Sequence, residues 1–243
     1  MNGKARRLSP RFFRFLDRIL FYFFFEMTLD FVLKRVLACE DKAGMINGSV
    51  RLIAVSKMQN SLKICEVLAL GHKVFAENRV QEALEKWPAL LEKFPDVRLD
   101  LIGSLQTNKV SQAYKIFQCI HTLDRDSLAL ACANMRQKQG NNDPVFFVQV
   151  NTGREPQKSG VFPEFVDEFL KKCRDVYDLP VVGLMTIPPF RESPVLHFQL
   201  LEKLAARNGL KRLSMGMSHD FEQAIAAGAT DIRVGSCIFG QRA

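Results

Sequence analysis

Eight short apolar runs, each followed by a stretch of helical period, constrain this chain more than any other feature. The runs fall at residues 50–57, 73–78, 98–104, 119–124, 145–151, 181–187, 211–217 and 231–236. Amphipathic stretches lie between them at 62–71, 80–94, 108–117, 125–139, 163–176, 194–208 and 219–227. The first run, VRLIAVSK, has the apolar pattern of a strand buried on both faces of a parallel sheet. Strands alternating with helices build βαβ units with right-handed crossovers. Eight such units in a chain of 243 residues predict an α/β fold, a single (β/α)8 TIM-type barrel, whose usual length is about 250 residues. A doubly wound sheet is the competitor. It carries a glycine-rich phosphate turn after its first strand, and Ser56-Lys57-Met58-Gln59 holds no glycine. A further helix is expected at 28–43, with Leu29, Val32, Leu33, Val36 and Leu37 on one face and Thr28 as its cap.

Residues 1–27 differ from the rest. They hold six Lys or Arg against two acidic residues, and so carry half of the net charge of +8. Phe12, Leu16, Ile19, Phe23 and Met27 recur at helical spacing beside a stripe of Arg7, Arg11, Arg14 and Arg18, the pattern of a basic amphipathic helix on an anionic membrane surface. Asp17 and Arg18 interrupt it, so it is not a span, and no small-residue cleavage site marks it as a signal peptide. We read 1–27 as an atypical extension, with Met27 as the start of the working protein. Membrane contact is expected only where that extension is retained. The working unit is 28–243. Its remaining basic residues are scattered and its aromatics lie in apolar runs, so no nucleic acid partner is called for. The six cysteines form no CxxC pair and the four histidines show no ligand spacing. That suits buried thiols in a reducing cytoplasm, with no disulfide framework and no metal.

Barrel chemistry sits at the carboxyl ends of the strands. Read off in order, those ends carry Lys57, then Glu77 and Asn78, then Ser104 to Lys109, Asn151, Met185 to Ile187, Met217 and Ser218, and Arg233 to Ser236. The loops after strands seven and eight are where barrels commonly bind phosphate, and here they offer glycines, hydroxyls and helix starts. A partly desolvated lysine facing a phosphate cradle is what pyridoxal phosphate requires: the amine forms an imine with the aldehyde while the cradle holds the phosphate. Arg233 and Gly235 alternate into the same space, and a guanidinium opposite the pyridine nitrogen would keep that nitrogen unprotonated. Taken singly, Lys57 reads as a loop lysine, Arg233 as half of a salt bridge, and Ser218 and Ser236 as helix caps. Taken together they favour the cofactor.

The strings AVSK, FAENRVQE, LIGSLQTNK, QVN with a downstream KSG, GLMTIPP, LSMGMS, AIAAG and IRVGSCIFGQR resemble the pyridoxal phosphate homeostasis proteins, the YggS/PROSC group, from about Thr28 to Arg242. The resemblance implies a barrel similar to the N-terminal domain of alanine racemase, with pyridoxal 5′-phosphate imine-linked at Lys57. It further implies that Asn78 and Met217 line the site, that Ser218, Gly235 and Ser236 hold the phosphate, and that Arg233 meets the pyridine nitrogen. Four departures stand out. Ala76 replaces the usual glycine, Asp100 stands where histidine is common, Met58-Gln59-Asn60 lacks the usual lysine and proline, and His219 replaces an acidic residue.

The implied role is to carry or buffer the cofactor and so support vitamin B6 and amino-acid homeostasis, without catalysis of its own. A weak racemase of small amino acids is the alternative, and an aldolase using a lysine imine is a third. A racemase needs a base on each face of the substrate carbon, and Tyr22, Tyr114 and Tyr177 all lie away from the expected strand ends. Lys109 and Lys158 lie near the mouth. The expected partners are the cofactor and, transiently, cofactor-accepting apoenzymes. A monomer is expected, because no apolar stripe beyond the extension asks for a partner.

Overall fold

Each apolar run folds as a strand whose outward side chains meet a helix and whose inward ones fill a ring. A computed structural model describes residues 28–139 and 143–240; the extension at 1–27 lies outside them. The strands are β1 (Arg51–Val55), β2 (Val74–Glu77), β3 (Arg98–Leu101), β4 (Cys119–Leu123), β5 (Val145–Val150), β6 (Val181–Thr186), β7 (Arg212–Met217) and β8 (Asp231–Val234). All neighbours pair in parallel, and β8 returns to β1 with Ile53 opposite Arg233, closing the barrel. The expected (β/α)8 architecture is present.

The helices are α1 (28–42), α2 (Ser61–Ala69), α3 (Val80–Lys86), α4 (Pro88–Lys93), α5 (Val110–Ala113), α6 (Asp126–Gln139), α7 (Val166–Asp175), α8 (Pro194–Arg207), α9 (Phe221–Ala226) and α10 (Ser236–Phe239). Two expected helices are corrected. The stretch 80–94 is broken at Trp87, because Pro88 has no N–H to give to the preceding turn and starts α4 instead. The stretch 108–117 is a 3₁₀ turn, Thr107–Lys109, running into the short α5. On α1, Leu29, Val32 and Val36 are buried, but Leu33 and Leu37 are exposed one turn apart. That corrects the expected buried face and the expectation that no exposed apolar stripe lies outside the extension. Thr28 Oγ1 donates to Ile238 O (3.0 Å), tying α1 to α10. Among the described residues, no helix is long and apolar enough to cross a membrane.

The main core lies between the barrel wall and its helices; Leu52, Ala54, Phe75, Leu99, Phe146 and Ile232 belong to it. Alternation turns their neighbours inward. A small apolar cluster, Cys119, Phe147 and Met185, fills one side of the interior. The other side is polar. Asp231, almost fully buried, accepts from Arg212 (2.5 and 3.2 Å) and pairs with Arg51 (3.5 Å) at the amino end of the barrel. Above this floor lie Asp100, His121, Ser214 and Arg233, all buried.

Candidate functional site

Strand β1 delivers Lys57 to the carboxyl end of the barrel, and the turn that carries it is braced from behind. Ser56 Oγ donates to Glu77 Oε1 (2.7 Å), as does Trp87 Nε1 (3.0 Å). Lys86 Nζ, from α3, sits within 2.8 Å of both Glu77 Oε1 and Glu82 Oε1. It also reaches the carbonyls of Ser56 (3.0 Å) and Gln59 (3.3 Å) on either side of Lys57. Met58 N donates to Glu82 Oε1 (2.5 Å). Met58 itself has φ of +62°, a left-handed conformation disfavoured for a bulky side chain. The brace holds that turn in place.

Lys57 opens onto a cavity of about 260 Å³ at the barrel mouth, which Asn78, Met217, Ser218, Arg233, Gly235 and Ser236 also line. The structure thus brings all seven residues singled out in the sequence to one place. Asn78 Oδ1 is buried and, among the described residues, has no hydrogen-bond partner. Arg233 is 4% exposed. Its Nη1 donates to Ser214 Oγ (2.6 Å) and its Nη2 to Thr186 O (2.9 Å). Burial pulls the guanidinium down to about 10, against the pull of Asp220 and Asp231, so it stays charged at neutral pH.

The far wall is built from the β7 and β8 ends. Met217 N donates to Asp220 Oδ1 (2.5 Å), which folds the β7 end into α9, and Gly235 N donates to Ser218 Oγ (3.3 Å), which ties the two loops together. Gly216 has φ of +90°, and a Cβ there would lie 2.6 Å from Ala224 Cβ; only glycine lets α9 pack so closely. A Cβ on Gly235 would lie 3.3 Å from Val55 O, so this wall too is drawn in against β1. The leading amides of α10 have no carbonyl within their own helix to bond to. Among the described lining residues are two cations, Lys57 and Arg233, and no carboxylate. The cavity therefore suits an anion that also has a ring or other apolar body to set against Val55, Ile102 and Ile187.

Sequence reasoning placed Glu77, Thr186 and Ile187 at strand ends without giving them a role, and it missed Gln59 and Ile102 on the wall and Ser214, His121 and Lys86 behind it. Of the departures, Asp100 is fully buried inside the barrel, bonded to Arg98 and His121, while His219 lies on the rim, 3.3 Å from Asp220. Lys109 and Lys158 are not among the residues lining the cavity, and Lys158 is paired with Glu155. Tyr114 is buried with its hydroxyl on Cys132 O (2.8 Å), and Tyr177 lies beside Asp126, so neither reaches the cavity.

Residues 40–243 match the family described as alanine racemase, N-terminal domain. The chain is 39% identical to the pyridoxal phosphate homeostasis protein of Aquifex aeolicus over 227 residues, which cover 88% of this chain and 96% of that one. It is 36% identical to the mouse (Mus musculus) protein of the same name, over 79% of this chain and 77% of that one. Among solved structures it resembles PipY of Synechococcus elongatus PCC7942 with PLP bound, with a TM-score of 0.74 and 33% identity, covering 86% of this chain and all of that one.

Proposed function

The chain belongs to the pyridoxal phosphate homeostasis protein family, and from that premise we propose that it binds pyridoxal 5′-phosphate at the barrel mouth and carries or buffers it. The residues present fit the group. A lysine and an arginine line one cavity, Asn78 Oδ1 is a buried acceptor still wanting a donor, and two loops drawn together by glycines offer hydroxyls and amides to a phosphate. The observation that carries the reading is the convergence of Lys57 and Arg233, from adjoining strands, on a cavity that no carboxylate lines among the described residues.

Pyridoxal phosphate supplies an aldehyde that a primary amine converts to an imine with loss of water, and a ring that withdraws electrons from whatever amine it holds. Lys57 is the amine, held at its post by Glu77 and Lys86. Ser218, Gly235 and Ser236 would hold the phosphate, Asn78 and Met217 would line the site beside the ring, and Arg233 would serve as the donor to its nitrogen. A guanidinium does not surrender its proton there, which weakens the ring as an electron sink and favours holding over turnover. Neither Tyr114 nor Tyr177 is placed to serve as a second base. Six free cysteines, three of them fully buried, fit work in a reducing cytoplasm.

Borohydride reduction of protein incubated with the cofactor, followed by peptide mapping, tests this. The expected result is a pyridoxyl group on Lys57 that is lost in Lys57→Ala; labelling elsewhere alone would overturn the reading. The match to an alanine racemase domain favours a second reading, a weak racemase. Deuterium incorporation at Cα of L-alanine in heavy water, dependent on Lys57, would establish it over the carrier.

A further inference from the structure

Behind Arg233 a line of hydrogen bonds crosses the barrel interior to its opposite wall. Arg233 Nη1 donates to Ser214 Oγ (2.6 Å) on β7. Ser214 Oγ lies 2.8 Å from His121 Nδ1 on β4, and His121 Nε2 lies 3.1 Å from Asp100 Oδ2 on β3. Asp100 Oδ1 accepts from Arg98 Nε (2.8 Å). Asp100, His121 and Ser214 are all fully buried, and His121 stacks on Phe147 (4.4 Å between centroids). Asp100, Cys119 and His121 bring ligand-type atoms within 4.8 Å of one another. Both oxygens of Asp100 and both nitrogens of His121 are already engaged, however, and a guanidinium shares the carboxylate, so the cluster is a hydrogen-bonded chain and no metal centre.

The proton positions in this chain follow from what each group is able to do. A guanidinium only donates, so Ser214 Oγ accepts from Arg233. An ionised carboxylate only accepts, so His121 carries a proton on Nε2. Burial lowers the proton affinity of His121, so the ring is neutral and Nδ1 is an acceptor. The Ser214 hydroxyl proton therefore points to His121, away from Arg233, and a serine lone pair is presented to the guanidinium. Every bond in the line runs donor to acceptor without conflict, as a cooperative chain requires.

We propose that Asp100 is a positioning residue for Arg233: acting through His121 and Ser214, it fixes the direction of this chain and so the orientation in which the guanidinium meets a ligand. The role rests on the reading of the cavity as a pyridoxal phosphate site. The chain pins Nη1 to Ser214, the carbonyl of Thr186 pins Nη2, and the other N–H groups are presented accordingly.

Asp100→Asn changes no volume but replaces an acceptor with a donor facing His121. The ring must then accept at Nε2 and donate from Nδ1, which gives Ser214 Oγ two donors and turns its own proton out of the line. Two-bond ¹H–¹⁵N correlation spectra, taken on protein without added cofactor and assigned with His121→Asn, are expected to show His121 protonated at Nε2 in the wild type and at Nδ1 in Asp100→Asn. Pyridoxal phosphate affinity, followed by absorbance titration, is expected to fall about tenfold in Asp100→Asn and in Ser214→Ala, roughly 1.4 kcal/mol. A wild-type ring protonated at Nδ1 or at both nitrogens, or a tautomer unmoved by Asp100→Asn, overturns the ordering. A shifted tautomer with unchanged affinity overturns the positioning role. Wild-type protein that takes up no cofactor removes the reading on which that role rests, and the role with it, while the tautomer measurement still stands.

Discussion

Arg233 is the residue on which the site turns, because it is charged, almost fully buried and bonded on two sides. Its planar fork reaches Ser214 and Thr186 together and still offers N–H groups to the cavity; an ammonium is a point charge that cannot do both. Arg233→Lys is therefore expected to weaken pyridoxal phosphate binding by tenfold or more, about 1.4 kcal/mol at least, with the circular dichroism spectrum unchanged. An affinity within twofold of wild type would show that the fork is not used. Lys57, Asn78, Ser218 and Arg233 were legible in the sequence because each falls at or near a strand end, and in a barrel strand ends share one mouth. His121 and Ser214 were not. They sit inside apolar strands 93 residues apart, and their meaning comes only from facing each other across the closed ring. Asp100 was visible as a departure, but the sequence could not say that its charge would be met by Arg98 and His121.

At the scale of elements, α3 acts as a buttress for the turn after β1. Lys86 on α3 joins the buried Glu77 to the carbonyls on either side of Lys57. Removing one partner of a buried pair leaves an uncompensated charge, at a cost of about 3–5 kcal/mol. Lys86→Met is accordingly expected to lower stability by about 3 kcal/mol in urea unfolding and to reduce the yield of labelled Lys57. Lys86→Met with Glu77→Gln removes both charges and is expected to recover most of the stability while the turn, now unbraced, still labels poorly. Full recovery of both would make the ion pair a matter of stability alone. The sequence located α3 but ran it on through α4. Helical periodicity continues across 80–94, so apolar spacing alone hides the break that Pro88 imposes. The same blindness put Leu33 and Leu37 on the inner face of α1: a five-residue apolar stripe is wider than the contact the barrel offers, and only Leu29, Val32 and Val36 find it.

At the scale of the whole molecule, the alternation of strand and helix was enough to see the closed ring, since eight right-handed βαβ units leave few other ways to bury eight two-sided strands. What it could not show is that half of the interior is polar, and this gives the fold a dependence on pH. His121 is fully buried, and burial lowers its proton affinity in the folded chain; His72, at the foot of β2 with Nε2 on Val74 O (2.9 Å), is shifted in the same direction by the same cause. Unfolded, both bind a proton near pH 6.5. Below that value the unfolded chain holds more protons than the folded one, so stability falls as the medium is acidified, by up to about 1.4 kcal/mol per pH unit for each proton in the difference. At the alkaline end the sign reverses. Burial raises the thiols of Cys132 and Cys173 to about 12 and that of Cys119 well above its ordinary 9.0. Above pH 9 the unfolded chain therefore sheds protons that the folded one keeps, and stability falls again. Thermal unfolding midpoints measured from pH 5 to pH 10 are expected to trace a plateau between about 6.5 and 9 with a decline on each side. The acid limb should become shallower in His121→Gln, because a glutamine has no proton to take up on unfolding. An acid limb of unchanged slope in that variant would place the titration elsewhere, and a midpoint that rises below pH 6.5 would mean that His121 is an imidazolium in the folded barrel.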